Sequence, residues 1–497
     1  MSSTQRILLA VSSLLCFGLL RHFWDHTPNT PFSVWQLQEN AGSNRSLDAA
    51  GTAAPPSADN ATATSPDRLP QPTLGCARLP GAEEVVIVLK TGSTEIYEKL
   101  PIHLATTFAC ASDYLVYSDI SQQFGPVPVR DALALVSQDM RDTHEDLAQY
   151  RLLQEHVASG ADAAELKGDK SWSLDKCKFL PMITDAYRTF GRAKKWYVFI
   201  EADTYVSMHN LLHWLGQLDA SEPVYAGAQV MIGDTEFAHG GSGFVMSSAA
   251  VEALTAVYAE QQIYWEQKLA HECCGDKLLA EVLLKAKPPI RLLMAFPLIQ
   301  GETLTSLDWS PTHWCKPAVT WHHVDAATVD KLWQFERSWR DSDYPEDPIL
   351  FSDYYEAFIH PRLTAANGAM AAWDNLSNEW VSERGSDSTI TDPIGPGPAY
   401  TSAHACEALC RQQNQCLQWA WRPGLCRGGK AVQLGWALDN RPALGSAEDK
   451  IALVEGPASE GAVSGWLLER IEKWRVERGR CERRRRWTGA TDREEEG

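Results

Sequence analysis

The chain has 497 residues, a hydrophobic content of 44% and a formal net charge of −19 at pH 7. Its length exceeds that of one ordinary domain, and its hydrophobic content is typical of a globular protein. The negative charge argues against a nucleic-acid-binding protein, since such proteins present a basic surface to phosphate groups. The one concentrated basic run, at residues 483–486, stands beside an acidic run and is interpreted as a solvated tail.

The N-terminus combines an apolar segment with a polar stretch. Residues 7–24 contain a short apolar run at 7–20, which is followed by Arg21 and His22 and then by Phe23 and Trp24. The run is short for a bilayer-spanning helix, so it is either a cleaved signal peptide or an uncleaved anchor. We favour an anchor, because no small-residue cleavage site follows and aromatic residues suit a membrane interface. We therefore predict a cytosolic tail at residues 1–6, a signal anchor at 7–24 and a flexible stem at 25–75.

Twelve cysteines and three Asn-x-Ser/Thr sequons indicate that the rest of the chain faces an oxidising lumen. The sequons begin at Asn44, Asn60 and Asn375. The sequence contains no Cys-x-x-Cys pair, so a zinc ribbon is disfavoured and disulfides are expected. Spacing does not determine their pairing, although Cys481 is placed to hold a late helix.

Apolar strands alternate with amphipathic helices from residue 76 onward. Strands are predicted at residues 84–89, 114–117, 196–200 and 244–246. Helices are predicted around residues 179–190, 211–218, 249–258 and 277–284. This alternation predicts an α/β domain with a largely parallel sheet, which we place at residues 76–345.

Three segments follow the α/β domain. Residues 346–395 are rich in proline and are predicted to be a loop-rich extension. Residues 396–456 contain closely spaced cysteines and are too few for a large core, so we expect disulfides to stabilise this module. Residues 457–497 are predicted to form a helix, with apolar residues along one face, and a charged tail.

An acidic motif directly follows the predicted strand at residues 196–200. It contains Glu201 and Asp203 on either side of Ala202. Ligands of open α/β sheets bind beyond the carboxyl ends of the strands, where carboxylates can hold a divalent cation against phosphate oxygens. An N-cap of the next helix by Asp203 is an equally consistent interpretation.

Three more motifs carry residues with useful chemistry. His322 is a candidate ligand for a manganese-like ion, but the side chains of adjacent residues diverge, so we expect only one of His322 and His323 to bind it. The glycine-rich run at 240–243 suits close backbone approach to a sugar, or a tight turn alone. Asp276 precedes a predicted helix, where it serves as a general base or as an N-cap.

In their order and spacing, these motifs resemble those of glycosyltransferase family 31, in the branch of Fringe and the core 1 β-1,3-galactosyltransferases, particularly its fungal members. The resemblance covers residues 83–340, and Lys178 precedes Trp196 at the spacing found in the core 1 enzymes. EADTYV stands in place of the family's DDDTYV, and GGSGFVMS in place of GGAGYVLS. CCGDKLLAEVL is similar to its EDLEIG-type segment, and WHHV to its FHYV.

The resemblance implies a Rossmann-like GT-A fold, with inversion at the anomeric carbon. It also implies a UDP-sugar donor and Mn²⁺ or another divalent cation. The expected product is a β linkage, usually β-1,3, joining galactose or N-acetylhexosamine to a glycan or glycoprotein. The expected location is the Golgi or ER membrane, as a single-pass type II protein with a lumenal catalytic domain, and nucleic acid is not an expected partner.

The resemblance also implies roles for individual residues. Asp203 and His322 would bind the metal, and Asp276 would be the catalytic base. Glu201 would lie near the ribose or the donor sugar. The remaining expected contacts to the nucleotide and to the donor and acceptor cleft are Thr91, Thr94, Lys178, Gly240, Gly241 and Gly243.

Ala202 departs from the family pattern, because it replaces the middle aspartate of the triplet. A site that lacks this carboxylate binds a cation more weakly or is inactive. The alternative hypothesis is therefore a catalytically inactive, glycan-binding or chaperone-like member of the same fold. The cysteines at 406–426 resemble a PAN/Apple module, which binds carbohydrate or protein, and a purely structural disulfide cap is equally consistent.

Overall fold

A computed structural model of the chain describes residues 79–342, 346–384, 398–438, 461–479 and 481, with the backbone alone at 169–173. The predicted anchor at 7–24, the stem at 25–75, the sequons at Asn44 and Asn60 and the basic run at 483–486 lie outside these residues. In the part of the chain that is described, no helix is both long and apolar enough to cross a bilayer.

An eight-stranded mixed sheet is the largest sheet among the described residues. Its strands are β1 (Val85–Lys90), β2 (Asp113–Ser118), β3 (Gln122–Phe124), β4 (Val127–Asp131), β5 (Trp196–Glu201), β7 (Tyr225–Gly227), β10 (Phe244–Ser247) and β11 (Leu292–Met294). Their order across the sheet is β11-β7-β10-β5-β1-β2-β4-β3. The short strands β6 (Tyr205–Val206), β8 (Gln229–Ile232) and β9 (Thr235–Ala238) lie outside it.

The prediction of a largely parallel sheet needs a correction. Strands β5, β1, β2 and β4 are parallel, and so are β7 and β11. However, β10 is antiparallel to both of its neighbours, and β3 is antiparallel to β4. The hairpin of β8 and β9 reverses the chain after β7, so β10 enters the sheet in the opposite direction.

The helices of the α/β part are α1 (Ile96–Ala105), α2 (Gln138–Thr143), α3 (Ala148–Ala158), α4 (Asp169–Phe190), α5 (Met208–Leu215), α6 (Ser248–Glu260), α7 (Gln262–Leu269), α8 (Gly275–Leu283), α9 (Pro311–Trp314) and α10 (Ala326–Arg340). Helices α1 to α8 cover the two faces of the sheet, whereas α9 and α10 contribute to a third apolar cluster. Alternate residues of β1 join different apolar clusters: Val86 packs with α4, α6 and α8, and Ile87 packs with α1 and α5. This burial on both faces explains why β1 is a continuous apolar run.

The C-terminal part of the chain forms a second, antiparallel sheet. Its strands lie in the order β13 (Ala369–Ala371), β19 (Val463–Trp466), β16 (Gln418–Arg422), β17 (Leu425–Gly429) and β15 (Trp380–Glu383), while β12 (Thr320–Trp321), β14 (Trp373–Asp374) and β18 (Trp436–Ala437) belong to two-stranded pairs. The helices of this part are α11 (Phe351–Tyr354), which continues into a π-helical turn, α12 (His360–Ala365), α13 (Ala403–Gln412) and α14 (Leu468–Arg478). The segment expected to be loop-rich therefore contributes helices, and strands that pair with the cysteine-rich module.

Disulfides hold this part together, as the cysteine content led us to expect. Cys406 pairs with Cys426, and Cys410 pairs with Cys416. Cys315 pairs with Cys481, which confirms that Cys481 ties down the late helix, here α14. Outside the C-terminal part, the neighbours Cys273 and Cys274 also form a disulfide, directly before α8.

The third sequon is buried. Asn375 has a relative exposure of 0%, and its side-chain amide donates hydrogen bonds to the carbonyl oxygens of Trp419 and Gly465. An amide nitrogen in this position cannot carry an oligosaccharide while the module is folded. Asn375 is therefore excluded as a glycosylation site of the folded protein, contrary to its interpretation from sequence.

Candidate active site

A two-stranded ladder brings distant residues together beyond the end of β5. Strands β6 and β12 are antiparallel, with Tyr205 opposite Trp321. Asp203 precedes β6, and His322 follows β12, so the two lie at the same end of this ladder. His322 Nε2 is 3.5 Å from Asp203 Oδ1.

The N-cap interpretation of Asp203 is wrong. The residue that caps α5 is Ser207, whose hydroxyl accepts a hydrogen bond from the backbone N–H of Asn210. The carboxylate of Asp203 is instead directed at His322 on one side and at Lys99 on the other, with Lys99 Nζ 3.3 Å from Oδ2.

His323 also belongs to this site, contrary to the expectation that the two histidines diverge. Each of Asp203, His322 and His323 offers one ligand atom, and these atoms lie within 4.8 Å of one another. We call these residues the His–Asp cluster. His322 is buried, and its Nδ1 has no hydrogen-bond partner among the described residues. One carboxylate and two imidazoles form a donor set that fits a divalent cation.

The charge state of Asp203 suits a metal ligand. Burial acts to raise the pKa of this carboxyl group, but a hydrogen bond and positive charge from His322, together with the charge of Lys99, hold the pKa well below its ordinary value. Asp203 therefore remains ionised at neutral pH, as a metal-binding carboxylate must.

The glycine-rich loop lies between the His–Asp cluster and Asp276. Its first N–H, from Gly240, donates to Asp276 Oδ2 over 2.8 Å. A Cβ atom at Gly240 would lie 2.7 Å from the Phe179 ring, and one at Gly241 would lie 2.4 Å from the His322 ring. Only glycine permits this approach, so the loop is more than a turn: it brings the cluster and Asp276 to one cleft.

Asp276 lies in the first turn of α8, and the N-cap is Cys274. Its Oδ1 accepts a hydrogen bond from the N–H of Lys277 over 2.9 Å. Burial raises the pKa of Asp276, and the hydrogen bonds from Gly240 and Lys277 offset only part of that increase. A carboxylate with a raised pKa is a better proton acceptor than an ordinary one.

Glu201 is engaged by a lysine that sequence reasoning missed. Lys90 is its direct partner across β1 and β5, and Lys90 Nζ is 3.0 Å from Glu201 Oε1. The same ammonium group contacts the carboxylate of Asp175 on α4 and lies 4.2 Å from the centre of the Phe179 ring. Strand register would have identified this pair, but register is not visible in a single sequence.

Lys178 is buried beside this pair. Its ammonium group donates to the carbonyl oxygen of Thr91 over 2.9 Å and lies 3.4 Å from Asp119 Oδ2. It is also 3.7 Å from Asp175 Oδ1. We call the group of linked charges the Lys90 cluster; its members are Lys90, Asp119, Asp175, Lys178 and Glu201.

Three residues with hydroxyl groups follow the end of β1, next to the Lys90 cluster. Thr91 and Thr94 are both buried. The hydroxyl groups of Thr91 and of Ser93, which sequence reasoning did not select, have no hydrogen-bond partner among the described residues. Buried hydroxyls without partners are unusual, and they make this edge of the sheet a candidate position for a polar ligand.

Two comparisons with known proteins bear on this site. Residues 167–287 match a family model described as Fringe-like. The crystal structure of a glycosyltransferase involved in the glycosylation of the major capsid of PBCV-1 is similar over 50% of this chain and 98% of that chain, with 14% identity and a TM-score of 0.25. A similarity this low carries no argument here. The family match includes Asp203 and Asp276 and ends before His322, so residues 167–287 are similar to Fringe-like domains, which are of the glycosyltransferase family 31 type.

Proposed function

We propose that this protein is an inverting, metal-dependent glycosyltransferase of the GT-A fold. It would transfer galactose or N-acetylhexosamine from a UDP-sugar to a glycan or glycoprotein acceptor, in β-1,3 linkage. The observation that carries the proposal is that the loop at Gly240 and Gly241 contacts Asp276 and His322 at once. A metal site and a base on one cleft are what this reaction requires.

In the proposed reaction, Asp276 accepts the proton of the acceptor hydroxyl as that oxygen bonds to the anomeric carbon. The bond from this carbon to the diphosphate breaks on the opposite side, which inverts the configuration, and UDP leaves with the bonding electrons. Held by Asp203 and His322, Mn²⁺ or another divalent cation would offset the charge on the departing diphosphate. Lys99 adds a fixed positive charge beside Asp203.

The nucleotide is proposed to lie over the end of β1. The hydroxyls of Thr91 and Ser93, which have no partner among the residues that the structure describes, support this position, and buried Thr94 lies in the same turn. Lys178 would act by fixing the Thr91 carbonyl, since its ammonium group already faces protein oxygens. Glu201, held by Lys90, would lie near the ribose or the donor sugar.

The proposed location is the Golgi or ER membrane, with residues 7–24 as a type II anchor and the catalytic domain in the lumen. The basis is the apolar run, the cysteines and the disulfides described above. Protease protection of the domain in intact microsomes, and its loss on adding detergent, would test the orientation.

A donor screen tests the activity. The purified protein is mixed with UDP-galactose, UDP-N-acetylglucosamine or UDP-glucose and a panel of glycan acceptors, with Mn²⁺ or with chelator, and UDP release is measured. We expect Mn²⁺-dependent release with at least one donor, and its loss in Asp276→Asn. The exposed Asp219→Asn is the matched control and should behave as wild type.

The alternative function is binding of glycans without transfer. The observation that favours it is Ala202, which removes a carboxylate that the family motif carries. Calorimetry separates the two functions. Glycan binding by a protein that binds neither UDP nor Mn²⁺ would support the inactive, chaperone-like alternative and would contradict the proposed transferase.

A further inference from the structure

We propose that His323 is a third protein ligand of the cation, and that the His–Asp cluster therefore selects first-row transition ions over Mg²⁺ and Ca²⁺. The inference rests on the proposed metal-dependent function and deepens it. The family resemblance implies only Asp203 and His322 as ligands. The identity of the ion is decided by the additional imidazole.

The backbone at His323 is the first observation. Residues that follow one another in an extended strand place their side chains on opposite sides. His323 breaks this alternation, because its φ is +54°, in the left-handed region that residues other than glycine seldom adopt. Such a conformation is strained and persists only where the surroundings impose it.

Hydrogen bonds on both sides impose this conformation. The N–H of His322 donates to the carbonyl oxygen of Glu302 over 3.2 Å, and the N–H of Val324 donates to the carbonyl oxygen of Asp203 over 3.0 Å. The chain must turn sharply between these two bonds. The turn places the His323 ring beside the His322 ring, with the ring centres 3.8 Å apart, instead of on the other side of the chain.

The distances are close to those of coordination. The ligand atoms of the cluster lie within 4.8 Å of one another. Two donors that are each about 2.1 Å from one ion lie at most about 4.2 Å apart. A closure of about half an ångström would therefore suffice, and rotation of the exposed His323 side chain can supply it.

The donor set decides which ions are preferred. Asp203 is the one carboxylate of the His–Asp cluster. Its neighbour Ala202 is 5% exposed and packs among apolar residues, and Glu201 is paired with Lys90. Mg²⁺ and Ca²⁺ need several oxygen ligands, whereas imidazole favours later first-row ions. Affinity should therefore increase in the order Mg²⁺, Mn²⁺, Co²⁺.

The test measures ion binding in the absence of sugar donor. The full-length protein, with any histidine tag removed, is titrated with Co²⁺, Mn²⁺ and Mg²⁺ by calorimetry, and the visible absorption of bound Co²⁺ reports its ligands. The variant is His323→Gly, because glycine adopts the left-handed backbone without strain. His404→Ala, at an exposed histidine on α13, is the matched control.

We expect His323→Gly to weaken Co²⁺ binding at least tenfold and to change the Co²⁺ spectrum. Mg²⁺ binding should be unchanged, and His404→Ala should bind all three ions as wild type does. Unchanged Co²⁺ affinity in His323→Gly, or a wild-type preference for Mg²⁺, would overturn the inference. Neither of these results would contradict the proposed transferase activity. If the wild type bound no ion at all, even with UDP, that result would contradict both the transferase activity and the role of His323.

Discussion

Two groups of charged residues lie at the carboxyl edge of the same sheet, and they are built for different tasks. In the His–Asp cluster, one carboxylate and two imidazoles converge, one lysine contacts the carboxylate, and His323 is exposed. In the Lys90 cluster, lysines and carboxylates alternate, and both ammonium groups are almost fully buried.

The difference shows how a binding group is distinguished from a structural one. Both clusters contain residue types that bind cations or phosphates, so composition does not separate them. In the Lys90 cluster each ammonium group faces two carboxylates and so joins neighbouring elements of the sheet edge, although Asp119 Oδ2 makes no hydrogen bond within the described residues. In the His–Asp cluster His322 Nδ1 has no hydrogen-bond partner within the described residues, and Lys99 contacts one oxygen of the Asp203 carboxylate. The convergence of several ligand atoms on one point, and not the residue types alone, marks the His–Asp cluster as the site for a ligand.

The largest expected effect is on the chemistry of the His–Asp cluster. Asp203→Asn removes the only carboxylate of the cluster. Because transition-state charge on the diphosphate would lose its counter-ion, we expect turnover to fall by about 10²–10³-fold. The melting temperature should change little. A variant with near-normal turnover would show that Asp203 does not hold the cation.

In the Lys90 cluster, the expected effect is on stability. Lys90→Met removes the cation between Glu201 and Asp175 and leaves both carboxylates without it. Losing one member of a buried ion pair costs about 3–5 kcal/mol, and the partial exposure of the two carboxylates argues for the lower end. Urea unfolding measures this change.

The pH dependence of the free energy of unfolding of Lys90→Met provides the control. The unpaired carboxylates of Lys90→Met should take up protons more readily in the folded state than wild type does. Its deficit in stability should therefore shrink as the pH is lowered. A deficit that stays constant with pH, or a loss below about 1 kcal/mol, would show that the Lys90 cluster does not stabilise the sheet edge.

The loss of activity at acid pH should follow the protonation of Asp276 and not that of Asp203. Burial raises the pKa of Asp276, whereas His322 and Lys99 hold that of Asp203 down against the effect of its burial. As the pH falls, Asp276 is protonated first and can no longer accept a proton. We expect kcat/KM to decline at a pH above the ordinary range for aspartate. A profile that is flat down to the ordinary aspartate pKa would contradict the role of Asp276 as base.

The sequence predicts those parts of the fold that depend on local patterns. The strands at 84–89 and 196–200 were correct to within one residue, because buried parallel strands are continuous apolar runs. The helix that begins near Asp276 was correct to within two residues. The antiparallel direction of β10 was missed, since an apolar run carries no information about strand direction.

Only those residues of the candidate site that belong to a sequence motif could be predicted from the sequence. Asp203, His322 and Asp276 were selected from sequence, whereas Lys90 and Asp175 depend on strand register and on the packing of α4. The position of His323 depends on one backbone angle, fixed by hydrogen bonds from Val324 to Asp203 and from His322 to Glu302. Non-local contacts of this kind leave no periodic signal in the chain.

The smallest expected effect is at Lys99, the one positive charge that contacts the His–Asp cluster in the described part of the chain. Its ammonium group is 3.3 Å from Asp203 Oδ2 and 3.1 Å from Glu95 Oε2, and it is about one-third exposed. Stability should hardly change in Lys99→Met, because exposed pairs contribute at most about 1 kcal/mol.

Lys99→Met should affect the binding of a cation and of UDP in opposite directions. A divalent cation beside Asp203 is repelled by Lys99, so Lys99→Met should tighten Mn²⁺ binding by about three- to tenfold at low salt. UDP without metal should bind more weakly, because the same ammonium group attracts its phosphates. Calorimetry with each ligand alone separates the effects, and Lys167→Met, at an exposed ion pair with Glu98, is the control. Weaker Mn²⁺ binding in Lys99→Met would mean that Lys99 orients the carboxylate for the ion and does not compete with it.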